Sequence, residues 1–351
     1  MNNYKFSVLD LFCGCGGLSL GFNQAGYETL LGIDSWEDAI KTFNRNHQNP
    51  NGIVANLIDV SPEEIYEKTG IKNVDIVIGG PPCQGFSIAG KRVIDDERNK
   101  LYKSFVKFVK YYQPKAFLME NVPNIVSIGN GVVRNAIIQD FEKLGYKVVY
   151  KILLASDYGV PQNRKRAFFI GIKGNVDYVF PNPTVKRHVN SKEAISDLPS
   201  DSLNDGSVYI WPPQSEYQKI MRENSIGVFN HQITAHTEQT IKIISMVPDG
   251  GNYKNLPEEL HQTRKVNIAW TRLNSIRPSF TIDTGHFHHF HYEYNRVPTA
   301  RESARLQSFP DSYIFECGKT SQLKQIGNAV PPILAEVLAE SLKEYILNVQ
   351  S

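Results

Sequence analysis

The feature that most restricts this chain is an alternation running through its first half, in which short apolar runs are each followed by a stretch with helical spacing. The runs at 6–12, 29–33, 52–55, 74–78, 116–119, 148–154 and 167–172 have the length and apolar character of strands. Between them, 17–24, 36–46, 100–112 and 132–144 read as helices. Strands joined through helices run parallel rather than as hairpins. The expected fold is therefore α/β, a mostly parallel sheet with helices on both faces. Ser61-Pro62-Glu63-Glu64 adds a local signal: Ser at the N-cap, Pro at the first helical position and Glu three residues on form a capping box, so a short helix starts there.

From about residue 173 the pattern gives way to a stretch rich in Pro, Asn, Ser, His and Tyr that runs to about 296. This composition shift marks a second domain, smaller and irregular, over 174–296. Regular structure resumes with a second capping box, Thr299-Ala300-Arg301-Glu302, opening a helix through Leu306. A last helix at 332–347 aligns Leu334, Val337, Leu338, Leu342 and Ile346 on one stripe. Segment 297–351 is expected to rejoin 1–173 in one domain. A chain of 351 residues, 41% of them hydrophobic, has room for two domains with real cores.

No run approaches the roughly 18 apolar residues of a membrane span, and the first ten residues lack the basic flank and cleavage site of a signal peptide, so a cytoplasmic protein is expected. Four cysteines in such a length make no disulfide framework, and Cys13 and Cys15 lie too close together to pair easily. A net charge of +2 requires any nucleic-acid surface to be local.

Three loops carry candidate chemistry. The first strand enters Cys13-Gly14-Cys15-Gly16-Gly17 and then a helix, an arrangement that is either a nucleotide-type cofactor loop or a tight turn. Asp34, at the end of the second strand, can hold ribose hydroxyls, and Trp36 offers either a stacking face for adenine or a core side chain. The strand at 74–78 ends in Gly79-Gly80-Pro81-Pro82-Cys83-Gln84-Gly85-Phe86-Ser87, which puts a cysteine on a stiff loop at the rim where α/β sheets bind ligands, unless Cys83 is a buried structural cysteine. The next strand ends in Glu120-Asn121-Val122-Pro123, so a thiol and a carboxyl arrive at one rim, suited to covalent catalysis with acid assistance unless Glu120 only caps a helix. In Pro161-Gln162-Asn163-Arg164-Lys165-Arg166, Arg164 and Arg166 alternate at strand spacing and point one way, toward a polar acceptor or phosphate, or form a solvated basic turn.

Together with Asp10-Leu11-Phe12 before the glycine loop, Arg301-Glu302-Ser303-Ala304-Arg305-Leu306-Gln307-Ser308-Phe309-Pro310 and Gln325-Ile326-Gly327-Asn328-Ala329-Val330-Pro331, these motifs resemble, in order over nearly the whole chain, the DNA cytosine-5 methyltransferases of bacterial restriction–modification systems. The resemblance implies a Rossmann-like S-adenosylmethionine-dependent methyltransferase fold whose irregular 174–296 segment is a target recognition domain. It implies Cys83 as the nucleophile that adds to cytosine C6, Glu120 as the acid at N3, and Arg166 with Arg164 bracing O2. S-adenosyl-L-methionine, leaving as S-adenosyl-L-homocysteine, would contact Phe12, Cys13, Gly14, Cys15, Gly16, Gly17, Leu18, Asp34, Trp36, Asn56, Pro82, Leu101, Asn328 and Val330. Asp34 and Asn56 depart from the family's usual Glu and Asp, though both can accept the same bonds.

Double-stranded DNA is the implied partner, with the target base flipped out of the stack. Gln84, Ser87, Lys91 and Arg92, on a segment that would close as a lid, and Arg272 and His288 in the recognition domain are the implied DNA contacts. The run His286-Phe287-His288-His289-Phe290-His291 has no nearby Cys and no tetrahedral spacing, so no metal site is expected. A monomer is expected, with a cognate restriction endonuclease acting separately on the same site. Two rivals share parts of this reading: a tRNA-methylating branch of the family, against which Gln84-Gly85-Phe86-Ser87 speaks, and a catalytically dead DNA-binding accessory, against which Cys83, Glu120 and Arg166 speak.

Overall fold

The computed structural model describes residues 6–47, 51–82, 100–261, 270–282, 284–285 and 289–349. The chain divides into two compact units, one of Met1–Leu154, Lys165–Pro183 and Leu334–Ser351, the other of Ala155–Arg164 and Thr184–Ile333.

The first unit is built on a seven-stranded sheet of β1 (Ser7–Leu11), β2 (Glu28–Asp34), β3 (Gly52–Val54), β4 (Ile76–Gly79), β5 (Ala116–Asn121), β6 (Tyr146–Leu154) and β7 (Lys165–Lys173), in the order β3-β2-β1-β4-β5-β7-β6. The first five strands run parallel, and β7 lies antiparallel between β5 and β6. Every residue of β4 is buried, which is why that segment reads as an unbroken apolar run: a central parallel strand is covered on both faces. Helices α1 (Gly17–Gln24), α2 (Glu37–Asn46), α3 (Pro62–Thr69), α4 (Lys100–Tyr112) and α5 (Val132–Glu142) make the crossovers. The α3 capping box forms as read, with the Ser61 hydroxyl accepting from Glu64 N at 3.1 Å and the Glu64 carboxylate from Ser61 N at 2.6 Å.

Helix α4 buries Tyr102, Phe105, Phe108, Val109 and Tyr112 on one face, the spacing that marked it as amphipathic. Within the core Phe117 of β5 stacks on Phe141 of α5, with centroids 3.9 Å apart, adding about 0.5–1.5 kcal/mol beyond the burial of their area. At the end of the sheet away from the glycine loop, Asp75 accepts from Ser7 N and Oγ at 2.9 Å each and pairs with Lys115 at 3.2 Å. These bonds tie the starts of β1, β4 and β5 together.

The second unit holds the short helices α6 (Ser191–Ile195), α7 (Glu216–Arg222) and α8 (Glu238–Ser245), then the two-residue strands β8 (Thr271–Arg272) and β9 (His289–Phe290), α9 (Ala300–Leu306) and α10 (Lys319–Asn328). Side-chain caps at Asn190, Ser215 and Thr237 start α6, α7 and α8, each accepting from a backbone N–H of the first turn. The final helix, α11 (Pro332–Asn348), buries Leu334, Leu338, Leu342 and Ile346, and its Ala339 carbonyl accepts from the Tyr27 hydroxyl at 2.9 Å.

The two units divide the chain at other residues than the composition shift does. Return to the first unit comes at Leu334 rather than 297, and the segment Ala155–Arg164 belongs to the second unit. The physical reason is a buried charge network. Arg305 of α9 donates to Asp197 at 2.9 Å and to Asp311 at 2.5 Å, and Arg296 donates to both oxygens of Glu302 at 2.7 and 2.8 Å, beside the Pro199 and Ser200 carbonyls. α9 is thereby bound to residues about a hundred positions earlier, all within the second unit.

Candidate active site

The strand order reverses direction between β1 and β4, and in such sheets ligands bind beyond the carboxyl ends of the strands at that point. Leu11 lies opposite Gly79, so the glycine loop after β1 and the Pro-Pro loop after β4 leave the sheet side by side.

The first loop is tightly made. Phe12 has φ +59° and packs against the core, and Gly16, the N-cap of α1, has φ +91°, a conformation that a side chain would strain. Cys13, Cys15, Gly17 and Leu18 are buried, while Gly14 faces open space where a Cβ would meet nothing within 4 Å. Burial raises both thiols, that of Cys15 to about 12, which disfavours the reactive thiolate in each.

Asp34 closes the cradle at the end of β2, its carboxylate accepting from Gly14 N at 2.9 Å and Trp36 N at 2.8 Å. Burial still raises its proton affinity, with those N–H groups working against the shift. Trp36 is half-buried at the start of α2. Asn56 is exposed and forms an Asx turn, with Oδ1 accepting from Ile58 N at 3.2 Å and Nδ2 donating to Asp59 at 2.6 Å. Leu101 sits on α4. Asn328 closes α10 and Val330 follows it, both in the second unit.

Beneath the loop lies a group without an assigned role in the sequence reading. Asp10 is fully buried and accepts from Ser19 Oγ at 2.5 Å, while its Oδ1 has no hydrogen-bond partner among the described residues. Burial, reinforced by Asp34 and opposed by Ser19, pushes its carboxyl up to about 8. Between about pH 4 and 8 the folded state therefore keeps a proton that the unfolded chain has released, and stability falls as pH rises through that window. We expect Asp10→Asn to flatten this slope. Melting temperatures of the two proteins at pH 5 and pH 8 check it, and equal losses in both would remove Asp10 as the source.

At the second loop, Glu120 of β5 pairs with Arg166 of β7, Oε1 to Nε at 2.9 Å, both side chains largely enclosed. Antiparallel pairing of β5 with β7 brings these two strand ends together. The other oxygen, Oε2, lies 3.1 Å from where a Cβ on Gly80 would stand, so glycine there leaves room for the carboxyl. Asn121, to which sequence reasoning gave no role, donates from Nδ2 to the Pro81 carbonyl at 2.8 Å and accepts from Val122 N at 2.9 Å. It clamps the base of the Pro-Pro loop, and its signal was its place beside Glu120. Pro82 is exposed. Arg164, expected to point with Arg166, lies before β7 in the second unit and is buried. Cys83, with Gln84, Ser87, Lys91 and Arg92, and His288 fall outside the described residues.

A glycine-cradled loop and a strand-end acid meet, at the switch point of a parallel sheet, a carboxyl–guanidinium pair beside a clamped proline loop. Residues 6–344 match the family described as C-5 cytosine-specific DNA methylase. The chain belongs to that family. It is 39% identical to the type II methyltransferase M.DdeI of Desulfomicrobium norvegicum, over 98% of this chain and 90% of that one, and 40% identical to M1.HphI of Haemophilus parahaemolyticus, over 96% and 87%. A crystal structure of a putative DNA modification methyltransferase encoded within an E. coli prophage superposes with a TM-score of 0.80 at 29% identity, covering 98% of this chain and all of that one. S. pombe Dnmt2, 16% identical with a TM-score of 0.59, shares the fold. This protein is therefore a methyltransferase.

Among the residues expected to contact DNA, Arg272 spends its donors inside the fold. Arg272 is buried, and all five of its N–H donors are taken: by the carbonyls of Val247, Ile244, His291 and Tyr294 at 2.6–3.2 Å and by Asn295 Oδ1 at 2.8 Å. Its chemistry is that of an internal bolt rather than a phosphate contact. Arg272→Ala is expected to destabilise the protein by about 3 kcal/mol, since it strands several buried acceptors, and to leave the salt dependence of DNA binding unchanged. Urea unfolding and binding titrations at several salt concentrations check both.

Among the described residues no three metal-ligating side chains cluster, and no helix is long and apolar enough to cross a membrane. His291, part of the histidine run, is buried, its Nδ1 accepting from Glu293 N and Tyr294 N at 3.1 Å each.

Proposed function

We propose that this chain methylates carbon 5 of cytosine at a specific sequence in duplex DNA, as the modifying enzyme of a restriction–modification system, using S-adenosyl-L-methionine and releasing S-adenosyl-L-homocysteine. The observation that carries the reading is the Glu120–Arg166 pair beside the Pro81 carbonyl held by Asn121, on the loop whose next residues are Pro82 and Cys83. The name of the family and those of the relatives support it.

The cofactor fits the residues present. The open face at Gly14, the N–H-anchored Asp34 and the half-buried Trp36 suit an amino acid, a ribose and an adenine, and the buried Asp10 Oδ1 has no partner among the described residues. Phe12, residues 13–18, Asp34, Trp36, Asn56, Pro82, Leu101, Asn328 and Val330 would hold it. When bound it supplies an electrophilic methyl group on a sulfonium.

The chain's own residues do the rest. With the cytosine flipped from the stack, the Cys83 thiolate bonds to C6 and pushes the ring electrons toward N3, where Glu120 delivers a proton. Arg166 keeps the Glu120 carboxyl aimed and, with Arg164, braces the O2 side. The ring is then an enamine, nucleophilic at C5. After C5 is methylated, water takes the C5 proton, the C5–C6 double bond re-forms, Cys83 leaves as thiolate, and the N3 proton returns to Glu120.

The second unit would read the sequence, and a monomer working on cellular DNA would act in the cytoplasm, with any cognate endonuclease cutting the same site separately. The test is incubation with labelled S-adenosylmethionine and either duplex DNA or tRNA, followed by bisulfite sequencing of DNA from cells expressing the chain. Label in DNA and protected cytosines within one sequence word are expected. Label in tRNA alone would overturn the reading, as would DNA binding without any transfer.

A further inference from the structure

In the second unit a buried pair of amide side chains joins segments that lie far apart in sequence. Gln162, two residues before Arg164, and Gln307, directly after α9, are both fully enclosed. A primary amide carries two N–H donors and an acceptor oxygen, so a backbone N–H facing one end decides which end is oxygen. Ile282 N donates to Gln162 Oε1 at 3.0 Å, which turns Gln162 Nε2 toward the Leu306 carbonyl, 3.2 Å away, and toward Gln307 Oε1. Gln307 therefore presents Nε2 at its other end, where it donates to the Ala329 carbonyl at 2.5 Å. Ala329 is the C-cap of α10, so its carbonyl has no donor within the helix and takes one from this side chain instead. The direction of the relay is thus fixed from the Ile282 N–H through both amides to the Ala329 carbonyl. At one end Arg164 N donates to the Gln162 carbonyl at 2.9 Å, and Asn163 N and the Pro161 carbonyl pair with Ser279 at 2.8 and 2.9 Å. At the other, Ala329 stands between Asn328 and Val330.

Resting on the function proposed above, we infer that Gln162 and Gln307 are positioning residues for methyl transfer: their paired amides hold the cofactor-facing backbone at 328–330 in register with the segment that delivers Arg164. They act through the backbone rather than on the reacting atoms. A buried acceptor left without its donor is costly, so without Gln307 the peptide at 329 turns toward another partner and carries Asn328 and Val330 with it. Hydrogen bonds in series also polarise one another, so losing one amide weakens the bonds of the other. Displacements of this size matter because transfer depends on how well the reacting groups are aligned.

The experiment compares the full-length wild type with Gln307→Met, Gln162→Met, the double variant and Gln307→Glu. Binding of S-adenosyl-L-homocysteine is measured by calorimetry without DNA, and methyl transfer to duplex DNA with cofactor and DNA saturating. Methionine keeps the length of the side chain and removes its hydrogen bonds. Gln307→Met is expected to weaken S-adenosyl-L-homocysteine roughly 10-fold and to slow saturated transfer roughly 10- to 100-fold, with DNA affinity unchanged. Gln162→Met is expected to slow transfer by a similar factor, and the double variant to be little worse than either, since both cut one relay. Gln307→Glu adds a readout that space-filling alone would not move. As the neutral acid it can accept from Gln162 and donate to Ala329; as the anion it cannot donate. Its cofactor affinity is therefore expected to match the wild type in mild acid and to fall toward that of Gln307→Met as pH rises. Melting temperatures confirm folding, and if Gln307→Met misfolds, the pH profile of Gln307→Glu decides alone. The relay is overturned by folded Gln307 variants that bind and transfer like the wild type, by a Gln307→Glu affinity that keeps one ratio to wild type at every pH, or by losses that simply add in the double variant. A wild type that binds S-adenosyl-L-homocysteine yet methylates no duplex DNA overturns the parent reading, while the affinities still decide the relay.

Discussion

Cys83→Ser is expected to lower methyl transfer by at least on the order of 10⁴-fold while binding of cofactor and DNA stays near the wild type, because in the proposed mechanism only the attacking atom changes. A hydroxyl at neutral pH is a far weaker nucleophile than a thiolate, and the neighbouring glycine loop offers no ready substitute, because burial raises the thiols of both Cys13 and Cys15. The groups that prepare the site remain, namely Glu120 on Arg166 and Asn121 on the Pro81 carbonyl. Two measurements read the effect. One is transfer of labelled methyl, and the other is covalent trapping on DNA containing 5-fluorocytosine, where the C5 position has no proton to lose. Wild type should form the adduct and the variant should not; equal trapping in both would show that another group attacks C6.

Arg305→Ala is expected to cost about 3–5 kcal/mol of stability. Arg305 is fully buried and pairs with two buried acids, Asp197 and Asp311, and with the Ala194 carbonyl at 3.0 Å. Its removal leaves both carboxylates in low dielectric, with Arg222 still on Asp197 and, on Asp311, the Tyr209 hydroxyl at 2.6 Å and Arg301 3.7 Å away. The pH dependence identifies the cause. Burial alone would raise Asp311, but Arg305 holds it below the ordinary carboxylate range, so the pair contributes stability above about pH 4 and loses it as pH falls further. The gap between the urea midpoints of wild type and variant should therefore be widest at neutral pH and narrow in acid. A gap that does not change with pH would mean that lost packing, not lost charge pairing, is responsible.

The same network explains where sequence reading succeeded and where it stopped. Strands β1 to β7 and helices α1 to α5 follow from patterns within a few residues, because period-two and period-3.6 burial are local properties of backbone geometry. The Ser61 and Thr299 capping boxes are equally local, each being a side chain and a backbone N–H three residues apart. Glu120 and Arg166 were legible as candidates because each ends or begins a strand, although their 2.9 Å pairing depends on an antiparallel register that no local pattern encodes.

Arg272 is the clearest contrast. As a letter in Trp270-Thr271-Arg272 it is a basic residue in a DNA-reading region; in the fold its five donors meet groups 19 to 28 positions away, and its neighbour Thr271 faces outward instead. Arg305 of α9 likewise reads as one letter of a motif, while in the fold it is held by Asp197, more than a hundred residues earlier. The sequence by itself determined the alternating architecture, the order of the motifs and the family they belong to, since these depend on residue type and short spacing. Tertiary structure alone decided which charges are buried in pairs, which asparagine clamps the Pro81-Pro82 loop and which side chains of β8 and β9 are buried, because burial and hydrogen-bond partnership are set by groups distant along the chain.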